Sequence, residues 1–194
     1  SQGHPVYPGH MEIAKESDVI VAAVGENVML CGENRDRTTL RLPGKQEQFV
    51  EKLVATGKPV VLVMFGGRAQ IISGLAEKCA AVIQAWYPGE EGGNAVADII
   101  YGKVNPSGKL SVSYPNVQIN EPICYNRSVE KDPRVAYPFG YGLSYTMFEY
   151  SNIKAEKSVA TNAEKFSISV DVKNTGNFAG DEVVELYLSP ADGN

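Results

Sequence analysis

The residues best placed to do chemistry are gathered between positions 26 and 42, where Glu26, Glu33 and Asp36 are interleaved with Arg35, Arg37 and Arg41. Carboxyl groups in such a run can give and take protons. The guanidinium groups can hold an anion or tie the segment down. Taken without context, the stretch reads better as a solvated charged loop closed by its own ion pairs. Other chemistries find less support. The only histidines, His4 and His10, lie within the first ten residues, so a Ser-His-Asp or Cys-His site in the body of the chain is excluded. Cys31, Cys79 and Cys124 are far apart and odd in number, which argues against a zinc ribbon or a disulfide framework. Gly66-Gly67 and the glycines between 89 and 93 match neither dinucleotide- nor phosphate-binding spacing. Gly66-Gly67-Arg68, just past a second apolar run, could line the same crevice as the charged run, but a tight turn is the preferred reading. Trp86 is either a sugar platform or a core residue.

The charged run must be positioned by its flanks. Residues 18–25 form an apolar run that reads as a strand buried on both faces, and residues 59–65 read as a second such strand. Between them, residues 45–55 place Phe49, Val50, Leu53 and Val54 on one helical stripe. Residues 75–78 suit a short helix, 80–85 a third strand, 91–101 another helix and 110–114 a further short strand. The alternation predicts an α/β fold, a mostly parallel sheet with helices on both faces. In such a sheet, ligands bind beyond the carboxyl ends of the strands. The charged run sits at one of those ends and is far longer than the about two to six residues usual there, which favours a functional loop.

Residues 115–138 are rich in Pro, Asn and charge and read as a connection. After Thr146 the period becomes two: residues 148–153, 166–172 and 183–188 alternate, with Asn174-Thr175-Gly176 as a turn. Three strands are fewer than the about seven of an immunoglobulin-like sandwich, so a partial antiparallel β-sandwich is expected. Segment limits are placed at 1–11, which ends near Gly-His-Met and looks like a cloning remnant, then 12–122, 123–147 and 148–194. The net charge of −5 argues against nucleic acid as a partner. No apolar run has the length of a membrane span.

The ordered set of motifs carries more information than any one of them. Gly25-Glu26, Gly32-Glu33-Asn34-Arg35-Asp36-Arg37, Leu42-Pro43-Gly44 with Gln46, and Ala85-Trp86-Tyr87-Pro88-Gly89 come in that order. Asn105-Pro106-Ser107-Gly108-Lys109-Leu110 and Phe139-Gly140-Tyr141-Gly142-Leu143-Ser144-Tyr145-Thr146 follow. Together they resemble glycoside hydrolase family 3, and the segment after Thr146 is similar to the fibronectin type III-like module of that family. The resemblance implies an α/β sandwich that works against an N-terminal (β/α)8 barrel. The barrel carries an Asp nucleophile, and the sandwich lends a general acid/base Glu.

The family motif lands on Glu33 as that catalytic residue, with Glu26 structural. Asp36, Arg37 and Trp86 are the implied substrate-binding residues. The implied partners are a β-linked oligosaccharide or glucoside and the barrel domain; a homo-oligomer is compatible with this, and no metal or cofactor is expected. The implied activity is retaining β-glucosidase, which this chain alone would lack. A β-xylosidase and a non-catalytic carbohydrate-binding or docking module are the alternatives. Many relatives are secreted or periplasmic, while a cytoplasmic location is also compatible. To act as an acid, Glu33 must hold a proton near working pH, whereas neighbouring cations oppose this. The expected arrangement therefore pairs Arg37 with Asp36.

Overall fold

The computed structural model describes residues 9–127, 130–157 and 165–188. These divide into two compact units, described separately below: one takes in the chain up to Ala97 together with Leu110–Tyr141, the other Asp98–Lys109 with the chain from Gly142 on.

The first unit is built on three parallel strands, β1 (Ile20–Gly25), β2 (Val60–Phe65) and β3 (Ala81–Trp86), in the spatial order β1-β2-β3. Helices α1 (Gly9–Glu16), α2 (Gln46–Val54), α3 (Ser73–Ala76) and α4 (Gly92–Ile100) alternate with them, and α4 runs across the boundary between the units. The α/β reading holds. The central strand shows why: Val60, Leu62, Val63 and Met64 are each at most 1 % exposed, as a strand covered on both faces must be. Helix α2 turns Val50 and Leu53 onto the same core as Ile20, Ala22, Val24 and Leu42.

Four expectations need correction. Strand β1 is buried on one face only, with alternating exposure along it; Val21 on the other face is 51 % exposed. Residues 110–113 are not a strand of the parallel sheet. Leu110 instead exchanges backbone hydrogen bonds with the returning segment, donating to Tyr141 and accepting from Gly140 at 2.8 Å each. Only β4 (Tyr114–Pro115) forms a ladder there, antiparallel to β5 (Val135–Tyr137). Helix α1 was not foreseen; its Ala14 is 4 % exposed and belongs to the core.

The second unit contains the antiparallel pair β6 (Phe148–Ala155) and β7 (Ile168–Asn174). The fourth correction falls here: residues 183–188 alternate as a strand should but enter no ladder among the described residues. Among the described residues they have no backbone partner alongside, and a strand needs one to satisfy its amides. Two of the quoted motifs meet around Asn105. Its side-chain oxygen accepts from the Ser144 hydroxyl at 2.9 Å and the Tyr145 amide at 2.8 Å, and its amide group donates to the Ala179 carbonyl at 3.0 Å.

Candidate active-site loop

Parallel pairing brings Gly25, Phe65 and Trp86 side by side at the carboxyl ends of β1, β2 and β3. The residues that follow them, Glu26, Gly66-Gly67-Arg68 and Tyr87, are therefore neighbours. The long segment 26–45 rises from this end of the sheet.

Glu26 begins it, pointing inward. Ile20, Ala22, Val24 and Glu26 are all buried, because the two-residue period of β1 continues one step beyond the strand. The carboxylate side chain has no exposed surface and lies between two guanidinium groups. Arg37 Nη1 donates to Oε1 at 2.5 Å, and Arg68 Nη1 donates to Oε2 at 3.0 Å. Arg37 therefore does not pair with Asp36, as the sequence suggested. A buried carboxylate without cations is far more costly than an exposed one, so Glu26 takes the nearer claim and Asp36 stays exposed.

The rest of the loop is braced from several sides. Gln46, the first residue of α2, holds the Gly25 peptide with both ends of its amide: its oxygen accepts from the Gly25 amide at 2.7 Å and its nitrogen donates to the Gly25 carbonyl at 2.9 Å. The second nitrogen of Arg37 donates to the Arg41 carbonyl at 3.0 Å, and Arg41 is ion-paired with Glu47. Arg68 Nη1 also donates to the Leu30 carbonyl at 2.7 Å, while its Nη2 donates to the Arg35 carbonyl. Gly67 has to lack a side chain, because a Cβ there would meet Cys31 Sγ at 2.9 Å and the Tyr87 ring at 3.1 Å. The Tyr87 hydroxyl is hydrogen-bonded to the Cys31 thiol, which, with burial and the Glu26 carboxylate, pushes its pKa upward.

Between these ties the loop makes a turn, with the Arg35 amide donating to the Gly32 carbonyl at 3.1 Å and Asn34 in the left-handed region at φ 56°. Glu33 sits in this turn, exposed to solvent. Trp86 is elsewhere. It ends β3 after a bulge that leaves Ala85 unpaired, at φ 54°, packs against the hydrophobic core and meets Tyr114 edge-on at 6.1 Å. Of the predicted residues, the structure places Glu33, Asp36 and Arg37 on one loop and Trp86 apart from them, at the end of β3 against the core. Arg68, Gln46 and Tyr87 were seen in the sequence only as a turn, a motif residue and the neighbour of Trp86, without the bracing role that the structure gives them. The available signal was positional: Arg68 and Tyr87 each stand just past the carboxyl end of a strand.

The arrangement is a braced loop that displays two exposed carboxyl groups, those of Glu33 and Asp36. Residues 8–145 match the family model described as the glycosyl hydrolase family 3 C-terminal domain. The chain belongs to that family. It is 39 % identical to a β-xylosidase of Formosa agariphila over 94 % of its own length and 27 % of the relative's. It is 36 % identical to a periplasmic β-glucosidase of Salmonella typhimurium, covering 92 % of this chain and 26 % of that one. Among solved structures, a β-glucosidase from Listeria innocua in complex with glucose superimposes with a TM-score of 0.77 at 30 % identity, covering 93 % of this chain and 28 % of that one. This family 3 chain thus spans about a quarter of the length of these relatives.

Proposed function

We propose that this chain supplies Glu33 as the general acid/base of a retaining β-glycosidase whose Asp nucleophile belongs to a (β/α)8 barrel domain. The observation that carries the reading is the contrast between the two glutamates of the loop. Glu26 is buried and held by two arginines, whereas Glu33 projects from a turn whose two flanks are tied to the sheet. Retention needs two carboxyl groups about 5–5.5 Å apart across the glycosidic bond. In the first half-reaction the barrel carboxylate attacks the anomeric carbon, the glycosidic bond breaks, and Glu33 gives its proton to the departing oxygen. In the second, Glu33 takes a proton from water as the oxygen attacks the glycosyl-enzyme and releases the carboxylate. The proton taken from water leaves Glu33 ready to serve the next departing oxygen.

The sugar is β-D-glucose in the first instance, with β-D-xylose as the second reading because β-xylosidases stand among the relatives. Asp36 is exposed beside Glu33 and is the better candidate to touch sugar. Arg37 acts from below through Glu26. The packing of Trp86 against the core and Tyr114 speaks against a binding module built on that ring.

The test uses the polypeptide in which this chain is joined to its barrel. Glu33→Gln should lower kcat/KM on cellobiose by about 10²–10⁴-fold, the usual worth of general acid–base catalysis. A dinitrophenyl β-glucoside, whose leaving group needs no proton, should lose far less in its first half-reaction. Equal losses on both substrates would remove Glu33 from the acid role. A parallel assay on the β-xyloside decides the sugar.

A further inference from the structure

We infer that Arg68 is the positioning residue for Glu33: it fixes the height and direction of the turn that presents the acid, without touching substrate itself. The inference rests on the Glu33 reading given above and adds a residue to which no role has been attached. It starts from what one guanidinium group reaches. Arg68 contacts the Glu26 carboxylate at 3.0 Å, the Leu30 carbonyl at 2.7 Å and the Arg35 carbonyl. Leu30 precedes Glu33 by three residues and Arg35 follows it by two. The two carbonyls therefore bracket the turn, and a single planar group spans both. Distance along the chain makes these bonds structurally informative: the partners lie 38 and 33 residues from Arg68.

The anchor is suited to that task. Arg68 follows β2, the most deeply buried strand, so its backbone inherits the rigidity of the sheet centre. Gly66 and Gly67 clear the path. A Cβ on Gly66 would come within 3.3 Å of Glu26 Cβ, and one on Gly67 within 2.9 Å of Cys31 Sγ. The loop thus passes close over the Gly-Gly step, and the Arg68 side chain reaches up into it. The Glu26 carboxylate takes one N–H of Nη1 in the guanidinium plane, which leaves N–H groups on Nη1 and Nη2 for the two carbonyls. Arginine suits this because its donors form a rigid fork; a lysine ammonium is a point charge on a flexible stem. A carboxyl displaced by about 1 Å from its proton acceptor can lose about 10²-fold in rate. Arg68 can therefore control catalysis from beneath the loop.

Arg68→Lys isolates the positioning role, because it keeps a cation beside Glu26 yet cannot span both carbonyls. Arg68→Met removes the charge as well. The first arm uses the chain as it stands. Trypsin cleavage after Arg35 and Arg37 and alkylation of Cys31 report the order of the loop, with exposed Cys124 as the internal reference. Both variants should be cut and alkylated at least about tenfold faster, while Arg68→Lys keeps the thermal midpoint of the parent. Unchanged cleavage and alkylation in both variants would overturn the inference.

The second arm uses the polypeptide joined to its barrel. Arg68→Lys should lower kcat/KM on cellobiose by about 10–100-fold and on the dinitrophenyl glucoside by less than about threefold. In the Glu33→Gln background the same change should add almost nothing, because Arg68 acts through Glu33. Full additivity of the two losses would overturn the positioning role even where Glu33 proves to be the acid. Should Glu33→Gln show no leaving-group selectivity, the acid assignment fails, while the loop-order arm still decides whether Arg68 holds the turn.

Discussion

Replacing Glu26 by Gln is the most searching perturbation of this fold, because it changes one atom in the centre of the loop's support. The side chain has no exposed surface and accepts one guanidinium hydrogen bond on each oxygen, at 2.5 Å and 3.0 Å. Its two partners are themselves 13 % and 21 % exposed, so water cannot easily take the place of the carboxylate. In Glu26→Gln one oxygen is replaced by an NH2 group, which turns two donors toward an arginine that also only donates. One charge-assisted bond is lost and two partly buried cations are left without a counter-charge. Bonds to charged groups contribute about 1.5–3 kcal/mol each, and breaking a buried ion pair from one side costs about 3–5 kcal/mol. A loss of about 4 kcal/mol is the expected value. With a urea dependence of about 2 kcal/mol per M for a domain of this size, the unfolding midpoint should fall by about 2 M. Trp86 is the only tryptophan and lies on the core, so its fluorescence follows the transition. A midpoint shift below about 0.5 M would refute the claim that the double ion pair supports the fold.

The same experiment extended to three positions separates stability from placement. Glu26→Leu, Arg37→Met and Arg68→Met together remove every charge of the cluster and fill a similar volume. Buried ion pairs exchanged wholesale for apolar residues are often neutral or stabilising, so the triple variant should recover most of the stability lost by Glu26→Gln. It cannot recover the bonds to the carbonyls of Leu30, Arg35 and Arg41, and tryptic cleavage in the loop should stay fast. A triple variant that was both stable and closed to trypsin would show that packing alone holds the turn.

Two further outcomes are expected. Gly25 lies at φ 134°, and a Cβ there would stand 1.7 Å from the Phe65 carbonyl oxygen, so Gly25→Ala has to part β1 from β2; strain and overpacking together should cost at least about 3 kcal/mol, and an unfolding midpoint like that of the parent would contradict it. Asp132 accepts from the Arg134 side chain and backbone amide, which lowers its pKa from the ordinary 3.8 to about 2. A pKa lowered by folding gives stability that is complete above the unfolded value and lost as pH falls through the folded one. The stability gap between the parent and Asp132→Asn should therefore be constant above about pH 4 and close between about pH 4 and 2, measured by denaturant midpoints; a gap that closed between pH 5 and 7 would point to another group.

The sheet and most of its helices were legible because their signals are local. Val60 to Phe65 is a strand covered on both sides and could be little else, and the stripe of Phe49, Val50 and Leu53 marks α2 by spacing alone. The exposed outer face of β1 was not legible, since Val21 and Ala23 are as apolar as their inward neighbours and nothing in the strand itself says whether that face is covered. Residues 110–113 and 183–188 have strand-like sequences, but a strand exists only where a partner lies alongside, and partnering is not written in the strand itself. The partner of Arg37 shows the same limit in the site. Adjacency in sequence favours Asp36, whereas burial selects Glu26. One clue was present: Glu26 shares the parity of Ala22 and Val24, so it had to enter the core side, and a carboxylate there needs a cation.

The loop carries two glutamates seven positions apart, and their separation of duties follows from environment alone. Glu26 is enclosed by groups that only donate, so its oxygens are occupied and it has no access to a reacting partner. Glu33 lies in a turn and meets solvent, so its oxygens stay open to a partner that approaches the loop. An apolar cluster beneath the turn could match the stability of the ion pairs but would fix no direction, since apolar contacts have none. Guanidinium-to-carbonyl bonds do fix direction. Retaining two arginines and a glutamate in a space that leucine and methionine could fill makes sense if the fold has to hold an orientation as well as stay folded. Under the proposal that Glu33 is the proton donor, orientation toward the substrate oxygen is the property that matters.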